Sequence, residues 1–209
     1  MNGKILLTSF QTWLPQQTSN YSDDLLEEIA QLDISPSLSF LRQLPVDVSD
    51  AASCVISKIE ELQPDAIICC GMAAGRNILT VESCATCIDA LDYISLCSYF
   101  LSIGRIFDFK NLQYLLSLIS KEISLQDEIL LSTSVDLEKL LAGLVATEIS
   151  YDAGKFVCEG LYYEILKYLG NGKRNACCIF VHVPVLTPEN LPIIVTDFHV
   201  IIDRMASIY

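Results

Sequence analysis

The stretch SDAASCVISKIEELQPDAIICCG, residues 49–71, predicts one helix followed by one buried strand. Its first part has apolar residues at helical spacing after Ser49, which is a suitable N-cap, and Pro64 ends the helix. The apolar run that follows has the length of a buried strand and stops at Gly71. A helix that leads into a fully apolar strand is typical of a parallel sheet covered by helices on both faces.

The same alternation extends along most of the chain. Further strands are predicted at residues 4–10, 38–46, 78–88, 128–133, 146–150 and 176–185. Further helices are predicted at residues 22–32, with Ser22 as the N-cap, at 135–144, from Cys158 onward and from about Pro192. We therefore predict an α/β fold, a three-layer α/β/α sandwich with a mainly parallel, partly mixed, twisted sheet. We expect one domain, residues 1–209, in which the segment 91–126 has mixed aromatic and helical signals.

The charge balance excludes several classes of partner. The chain has 26 acidic and 13 basic residues among 209, a formal net charge of −13, and its basic residues form no run. Binding to nucleic acid or to an anionic membrane surface requires a basic patch, so we expect neither partner. The longest apolar candidate for a membrane span, residues 93–104, is far shorter than the roughly 20 residues that a spanning helix needs.

The first residues form an apolar strand pattern without the cleavage site of a signal peptide. We therefore expect a cytoplasmic protein whose nine cysteines remain thiols in a reducing compartment. The mean hydropathy of +0.42 is high, which suggests that part of the surface is buried against another subunit.

One of the nine cysteines begins an amphipathic helix. Leu161, Tyr162 and Ile165 follow Cys158 at helical spacing, so its thiol lies on the inward-facing side. A helix N-terminus stabilises a thiolate, which a nucleophile needs. A buried thiol also serves as a small hydrophobic residue, so this stretch alone leaves both roles open.

Two polar residues interrupt runs that otherwise predict buried strands. His182 ends CCIFVHVP, and Glu82 lies within ILTVESCATCI. Burying either group is costly unless a partner compensates. If the two pair, the carboxylate orients the imidazole, which can then take the proton of Cys158. The alternatives are a core histidine with another partner and an edge strand whose glutamate faces water.

Two other motifs give weaker signals. CATC, residues 84–87, has the spacing of a redox pair, but it lies in a strand pattern and has no second pair for a zinc site. GMAAGR, residues 71–76, follows a strand but lacks the lysine and hydroxyl residue of a phosphate loop. We interpret it as a tight turn near a substrate, and we expect neither a metal nor a cofactor.

At these residues the sequence resembles the pyroglutamyl peptidase I family of cytosolic cysteine peptidases. The family's glutamate, cysteine and histidine blocks are similar to CCGMAAGRNILTVES, SYDAGKFVCEGLYYEIL and FVHVPVL, in the same order. The resemblance extends over nearly the whole chain and implies a phosphorylase/hydrolase-like fold. It also implies Cys158 as the nucleophile, His182 as the general base and acid, and Glu82 as the residue that orients His182.

The implied reaction removes an N-terminal pyroglutamate (5-oxoproline) from a peptide through an acyl-enzyme. Aromatic contacts and directed hydrogen bonds suit such a flat lactam. The resemblance places these residues at the substrate: Phe10, Trp13, Asn20, Met72, Arg76, Phe156 and Val157. Core packing is the alternative role for Phe10 and Phe156. Backbone N–H groups at the start of the Cys158 helix, with the Arg76 turn, are candidates for the oxyanion hole.

The chain departs from the family beside the pocket. Trp13 begins a stretch that replaces a glycine-rich turn, Met72 replaces a glutamine, and Glu159 replaces an asparagine after the cysteine. The polar substrate loop of the family is not recognisable in residues 91–126. Family members commonly form homo-oligomers, so we expect a tetramer or a dimer. The alternative function is a catalytically diverged member that binds a ligand or partner without turnover.

Overall fold

The computed structural model describes residues 3–13, 17–32, 34, 36–86, 130–173 and 176–208. Residues 1–85 and 131–209 form one compact unit, which contains the main sheet, and residues 86–130 form a second. The segment of mixed aromatic and helical signals, 91–126, and the apolar candidate for a membrane span, 93–104, lie outside the described residues. The single domain therefore stays a prediction.

Six strands form the main sheet, in the order β2-β1-β3-β8-β4-β7. Four of its five pairings are parallel, and only the β4–β8 pairing is antiparallel, so β4 and β7 run opposite to the other four strands. The strands, including a separate pair β5-β6, are β1 Lys4–Phe10, β2 Ser37–Leu44, β3 Ala66–Met72, β4 Leu79–Glu82, β5 Cys84–Thr86, β6 Leu130–Ser132, β7 Thr147–Ser150 and β8 Cys177–Val183. The predicted strand at 78–88 is thus two strands that meet at Ser83.

The described helices pack on both faces of this sheet. They are α1 Tyr21–Ala30, α2 Val48–Leu62, α3 Leu137–Leu141, α4 Val157–Tyr168 and α5 Leu191–Ala206. Ile68 and Cys70 of β3 belong to the core that α1, α3 and α5 share, whereas Gly71 faces α4. Because neighbouring residues of a strand point to opposite faces, α4 lies across the sheet from α1 and α5. The predicted α/β/α sandwich with a mainly parallel, partly mixed sheet is confirmed.

Two predicted helix caps are wrong by two residues. Asn20, and not Ser22, is the N-cap of α1, and its Oδ1 accepts the backbone N–H of Ser22. Asp47, and not Ser49, is the N-cap of α2, and its carboxylate accepts the N–H of Asp50. In each case an earlier polar residue has the extended backbone that lets its side chain reach back to the first free N–H groups.

Among the described residues, none of the helices combines the length and the apolar character needed to cross a membrane.

Candidate active site

Glu82 and His182 form a buried pair on neighbouring strands. Glu82 ends β4, and His182 lies near the carboxyl end of β8, where it pairs with Thr80 of the antiparallel β4. His182 Nδ1 lies 2.8 Å from Glu82 Oε1, and the two residues are 4% and 0% exposed. A carboxylate accepts only, so Nδ1 carries the proton and Nε2 is left as the ring's acceptor. The surface-facing edge strand considered for Glu82 is therefore wrong.

Arg76 supplies the positive charge that lets Glu82 remain buried. Its Nη1 donates to Glu82 Oε1 at 2.6 Å and also contacts the Thr80 hydroxyl. Its Nη2 donates to the backbone oxygen of Asp152 at 2.8 Å, in the loop before α4. The guanidinium and the imidazole both contact Oε1 and offset part of the cost of burying the carboxylate, while Oε2 has no hydrogen-bond partner among the described residues. Arg76 thus joins β4 to the loop that precedes Cys158.

Cys158 begins α4 and reaches the same end of the sheet. A Cβ atom on Gly71 would lie 2.7 Å from Cys158 Sγ, so the sulfur rests on the backbone of β3 where only glycine leaves room. Gly71 pairs with His182 in the parallel register of β3 and β8. The predicted inward face of the helix is confirmed, since Leu161, Tyr162 and Ile165 are fully buried.

The surroundings of Cys158 disfavour the thiolate. Burial, and next the negative charge of Glu82, raise the pKa of the Cys158 thiol to about 12. Its own backbone N–H and the charge of Arg76 act in the opposite direction with less effect. The thiol is therefore protonated at neutral pH and needs a base at the moment of attack.

The N-terminus of α4 has no side-chain cap at Phe156. Its N-cap, Phe156, has an extended backbone and makes no side-chain cap hydrogen bond. The first N–H groups of a helix have no partner within the helix, and here no side chain occupies them from the cap position. They lie beside Cys158, where a negative oxygen develops during acyl transfer.

A cavity of about 400 Å³ opens at this end of the sheet. Nine of the ten predicted site residues line it: Phe10, Trp13, Asn20, Met72, Arg76, Phe156, Val157, Cys158 and His182. The tenth, Glu82, lies behind His182. The arrangement brings a thiol, an imidazole and a carboxylate to a concave and mainly apolar site, as nucleophilic catalysis requires.

Four of these residues differ in how exposed their side chains are and in how many partners they have. Phe156 is 74% exposed and Trp13 61% exposed, so both are available at the mouth, and core packing is wrong for Phe156. Phe10 is 4% exposed and combines packing with a place in the wall. The Asn20 amide caps α1 and donates to the Gln11 backbone oxygen at 3.1 Å, so it already has partners on both sides.

Five further residues that line the cavity were not predicted from the sequence. Val46, Ala73, Asp152, Ala153 and Gly154 also line the cavity. The glycine carried a usable signal, because Gly154 has φ of +81° and directs the chain into α4. The two alanines and Val46 line the cavity only because the fold places them there, and their residue types give no sign of this in the sequence.

Of the two weaker motifs, GMAAGR forms the tight turn that was expected, and the described part of CATC lies outside the cavity lining. Residues 73–76 make a tight turn closed by Arg76 N–H and the Ala73 oxygen at 3.0 Å, and both residues line the cavity. Cys84 lies in β5, while Cys87 is outside the described residues. His199 contacts Asp203 on the partly exposed side of α5 and is not among the residues that line the cavity. The described cysteines are all free thiols.

Comparison with known proteins agrees with this geometry. A family model described as pyroglutamyl peptidase matches residues 3–108, which is just over half of the chain. The chain is 27% identical over 186 residues to a pyrrolidone-carboxylate peptidase of Gloeobacter violaceus, covering 89% of this chain and 83% of that protein. It is 25% identical over 195 residues to the Bacillus subtilis protein of the same name, with coverage of 91% and 82%.

Solved structures show the same fold. The crystal structure of Bacillus amyloliquefaciens pyroglutamyl peptidase I has a TM-score of 0.71 at 21% identity and covers 98% of this chain and 97% of its own. A mutant pyrrolidone carboxyl peptidase from Pyrococcus furiosus has a TM-score of 0.68 at 20% identity, with 98% of both chains covered. The match of the family model, together with relatives that align along about nine-tenths of the chain, confirms the resemblance in the sequence: the chain belongs to the pyroglutamyl peptidase family.

Proposed function

We propose that this chain removes N-terminal pyroglutamate from peptides and that Cys158, His182 and Glu82 carry the reaction. It acts as a cysteine-type omega peptidase and needs neither a metal nor a cofactor for the steps below. The observation that carries the proposal is the buried contact of 2.8 Å between His182 Nδ1 and Glu82 Oε1, beside the thiol that rests on Gly71. Nothing in ordinary core packing requires such a pair at a cavity wall.

The first half of the reaction forms an acyl-enzyme. His182 Nε2 takes the Cys158 proton as the sulfur attacks the carbonyl carbon that follows the lactam ring. The N–H groups at the start of α4 stabilise the oxyanion. When the tetrahedral intermediate collapses, the carbon–nitrogen bond breaks, and His182 gives its proton to the departing amine of the shortened peptide.

The second half releases the product. His182 takes a proton from water, and the hydroxide equivalent attacks the thioester carbon. The carbon–sulfur bond then breaks, the sulfur recovers its proton from His182, and free pyroglutamate leaves. Glu82 holds the imidazole in one tautomer throughout and stabilises the imidazolium that forms twice in each cycle.

The cavity suits a neutral, flat group at the chain terminus. Its wall includes Phe10, Trp13, Met72, Phe156 and Val157, which offer apolar contact to the ring. The side-chain amide of Asn20 is already engaged, so it acts by shaping the wall and leaves backbone groups to bind the lactam. Arg76 binds Glu82 and Asp152, and it supports the triad in preference to contacting the substrate.

The assembly and location follow the family expectation. We propose a homo-oligomer, a tetramer or dimer, that acts in the cytoplasm. Exposed apolar side chains such as Val145, at 73%, support burial against another subunit.

Hydrolysis of a pyroglutamyl-coumarin substrate tests the proposal. The wild-type chain is expected to release the fluorophore, and Cys158→Ala is expected to reduce release to the uncatalysed rate. Ser83→Ala, a change outside the cavity lining, is the matched control and retains activity. Wild-type release no greater than that of Cys158→Ala contradicts peptidase activity and favours a diverged member that binds without turnover.

A further inference from the structure

We propose that Gln17 is a positioning residue that holds Trp13 at the mouth of the pocket and ties it to Met72. The inference rests on the proposed function for its effect on substrate binding. Gln17 is a half-buried residue beside the cavity, in the connection between β1 and α1. It is not among the residues that line the cavity, and the family match gives it no role.

Both ends of the Gln17 amide have partners. The Trp13 backbone N–H donates to Gln17 Oε1 at 3.1 Å, and Gln17 Nε2 lies 3.6 Å from Met72 Sδ. Because the Trp13 N–H is a donor only, the oxygen of the amide must face it, and the NH₂ group must face the sulfur. The amide orientation is therefore determined by its first partner.

The second contact joins two different parts of the fold. Trp13 lies after β1, whereas Met72 is the last residue of β3, so the Gln17 side chain spans from the mouth to the sheet. A thioether is a weak acceptor, but this contact is partly buried and so has less competition from water. Both residues line the cavity, so Gln17 links the backbone of Trp13 to the side chain of Met72, two residues proposed to contact the substrate.

Trp13 needs such a support because, within the part of the chain that the structure describes, Gln17 is its one hydrogen-bond partner. Its residue is 61% exposed, so packing alone does not define its position. The neighbouring Asn20 amide restrains Gln11 and not Trp13. Loss of the Gln17 side chain frees the Trp13 backbone, and the indole must then be ordered each time a lactam binds, which weakens binding without changing the triad.

The single tryptophan of the chain gives a direct readout. Steady-state fluorescence anisotropy of Trp13 is expected to fall in Gln17→Ala, because the indole gains local motion. In the pyroglutamyl-coumarin assay the same variant is expected to raise KM about two- to tenfold, the range for loss of one or two hydrogen bonds, with kcat within about twofold of wild type. Gln17→Glu keeps an acceptor for the Trp13 N–H and is expected to keep the wild-type anisotropy.

Gln11→Ala is the matched control, because the hydrogen bonds of Gln11 with described residues use its backbone. It is expected to retain wild-type anisotropy and KM, and circular dichroism of all variants checks folding. Wild-type anisotropy in Gln17→Ala overturns the proposal, and so does a higher KM without a change in anisotropy. The anisotropy measurement needs no turnover, so the role of Gln17 can be tested even if the chain has no peptidase activity.

Discussion

At the scale of single residues, the protonation of Cys158 follows first from burial, which raises the pKa of its thiol, and then from two charged neighbours of opposite effect. Glu82 orients His182 and at the same time opposes a negative charge on the sulfur. Arg76 binds Glu82 and reduces this opposition. With its pKa raised, the thiol is mainly neutral near pH 7, and a neutral thiol is less prone to oxidation and alkylation than a thiolate.

The first prediction concerns alkylation of Cys158 by iodoacetamide. The thiolate is the reactive form, and burial with the charge of Glu82 raises the pKa of this thiol to about 12. The thiolate fraction therefore rises about tenfold for each pH unit below that value. We expect the alkylation rate, measured by mass spectrometry on the Cys158 peptide, to rise steadily between about pH 6.5 and about pH 9.5.

Cys158→Ser identifies the peptide signal that belongs to this thiol, and alkylation at exposed Cys54 confirms that the reagent is active at each pH. A rate that levels off near neutral pH contradicts the prediction. Such a plateau indicates a resting ion pair between thiolate and imidazolium, in which the proton has already moved to His182 before any substrate binds.

At the scale of elements, the site depends on how closely α4 approaches the sheet. Gly71 on β3 leaves room for Cys158 Sγ and for the Phe180 ring. Gly160, two residues after Cys158 on α4, leaves room for Val48 of α2. Gly71 therefore determines how closely Cys158 approaches the strands, and Gly160 determines how closely α4 packs against α2.

The second prediction is that Gly71→Ala reduces activity through displacement of the nucleophile. The new Cβ would lie 2.7 Å from Cys158 Sγ and 2.9 Å from Phe180 Cζ, so the sulfur or the helix must move. A shift of about 1 Å can reduce kcat/KM about 10²-fold, and overpacking costs about 1–3 kcal/mol of unfolding free energy. Peptidase assays and urea denaturation measure the two effects.

Gly75→Ala is the matched control, because a Cβ at Gly75 meets no atom within 4 Å and its φ is not in the left-handed region. It is expected to retain both activity and stability, although it lies only four residues after Gly71, in the turn that follows β3. Wild-type kcat/KM in Gly71→Ala is incompatible with the contact between the sulfur and β3.

How far the sequence predicts these elements depends on the kind of signal. Apolar runs and helical periodicity predict the strands and helices, because burial of whole faces determines them. The polar exceptions Glu82 and His182 predict their own pairing, since each needs a partner. The antiparallel direction of β4 and the role of Gly71 are not predictable in this way, because they depend on which strands become neighbours. The caps of α1 and α2 were wrong because several adjacent residues are all suitable caps.

At the scale of the whole molecule, the site strands depend on the far edge of the sheet. Glu82 ends β4, whose outer neighbour is the edge strand β7, so the position of the carboxylate depends on that short edge remaining paired. Asp197 of α5 secures the beginning of β7. Its Oδ2 accepts the N–H groups of Val145 and Ala146 at 3.1 and 2.7 Å and the Thr147 hydroxyl at 3.0 Å.

The third prediction is that Asp197→Ala destabilises the fold by about 2–4 kcal/mol, because it removes the common acceptor of three donors in a largely buried place. Asp197→Asn keeps one acceptor oxygen and is expected to lose less, while Asp203→Ala, at a half-exposed carboxylate on the same helix, is the matched control with little loss. Urea denaturation measures all three.

Since the change lies at the opposite end of β7 from the residue that pairs with Glu82, kcat/KM of the folded Asp197→Ala protein should remain near wild type. Equal stability of Asp197→Ala and Asp203→Ala contradicts the idea that this carboxylate holds the sheet edge, and a selective fall in kcat instead places Asp197 among the supports of the triad.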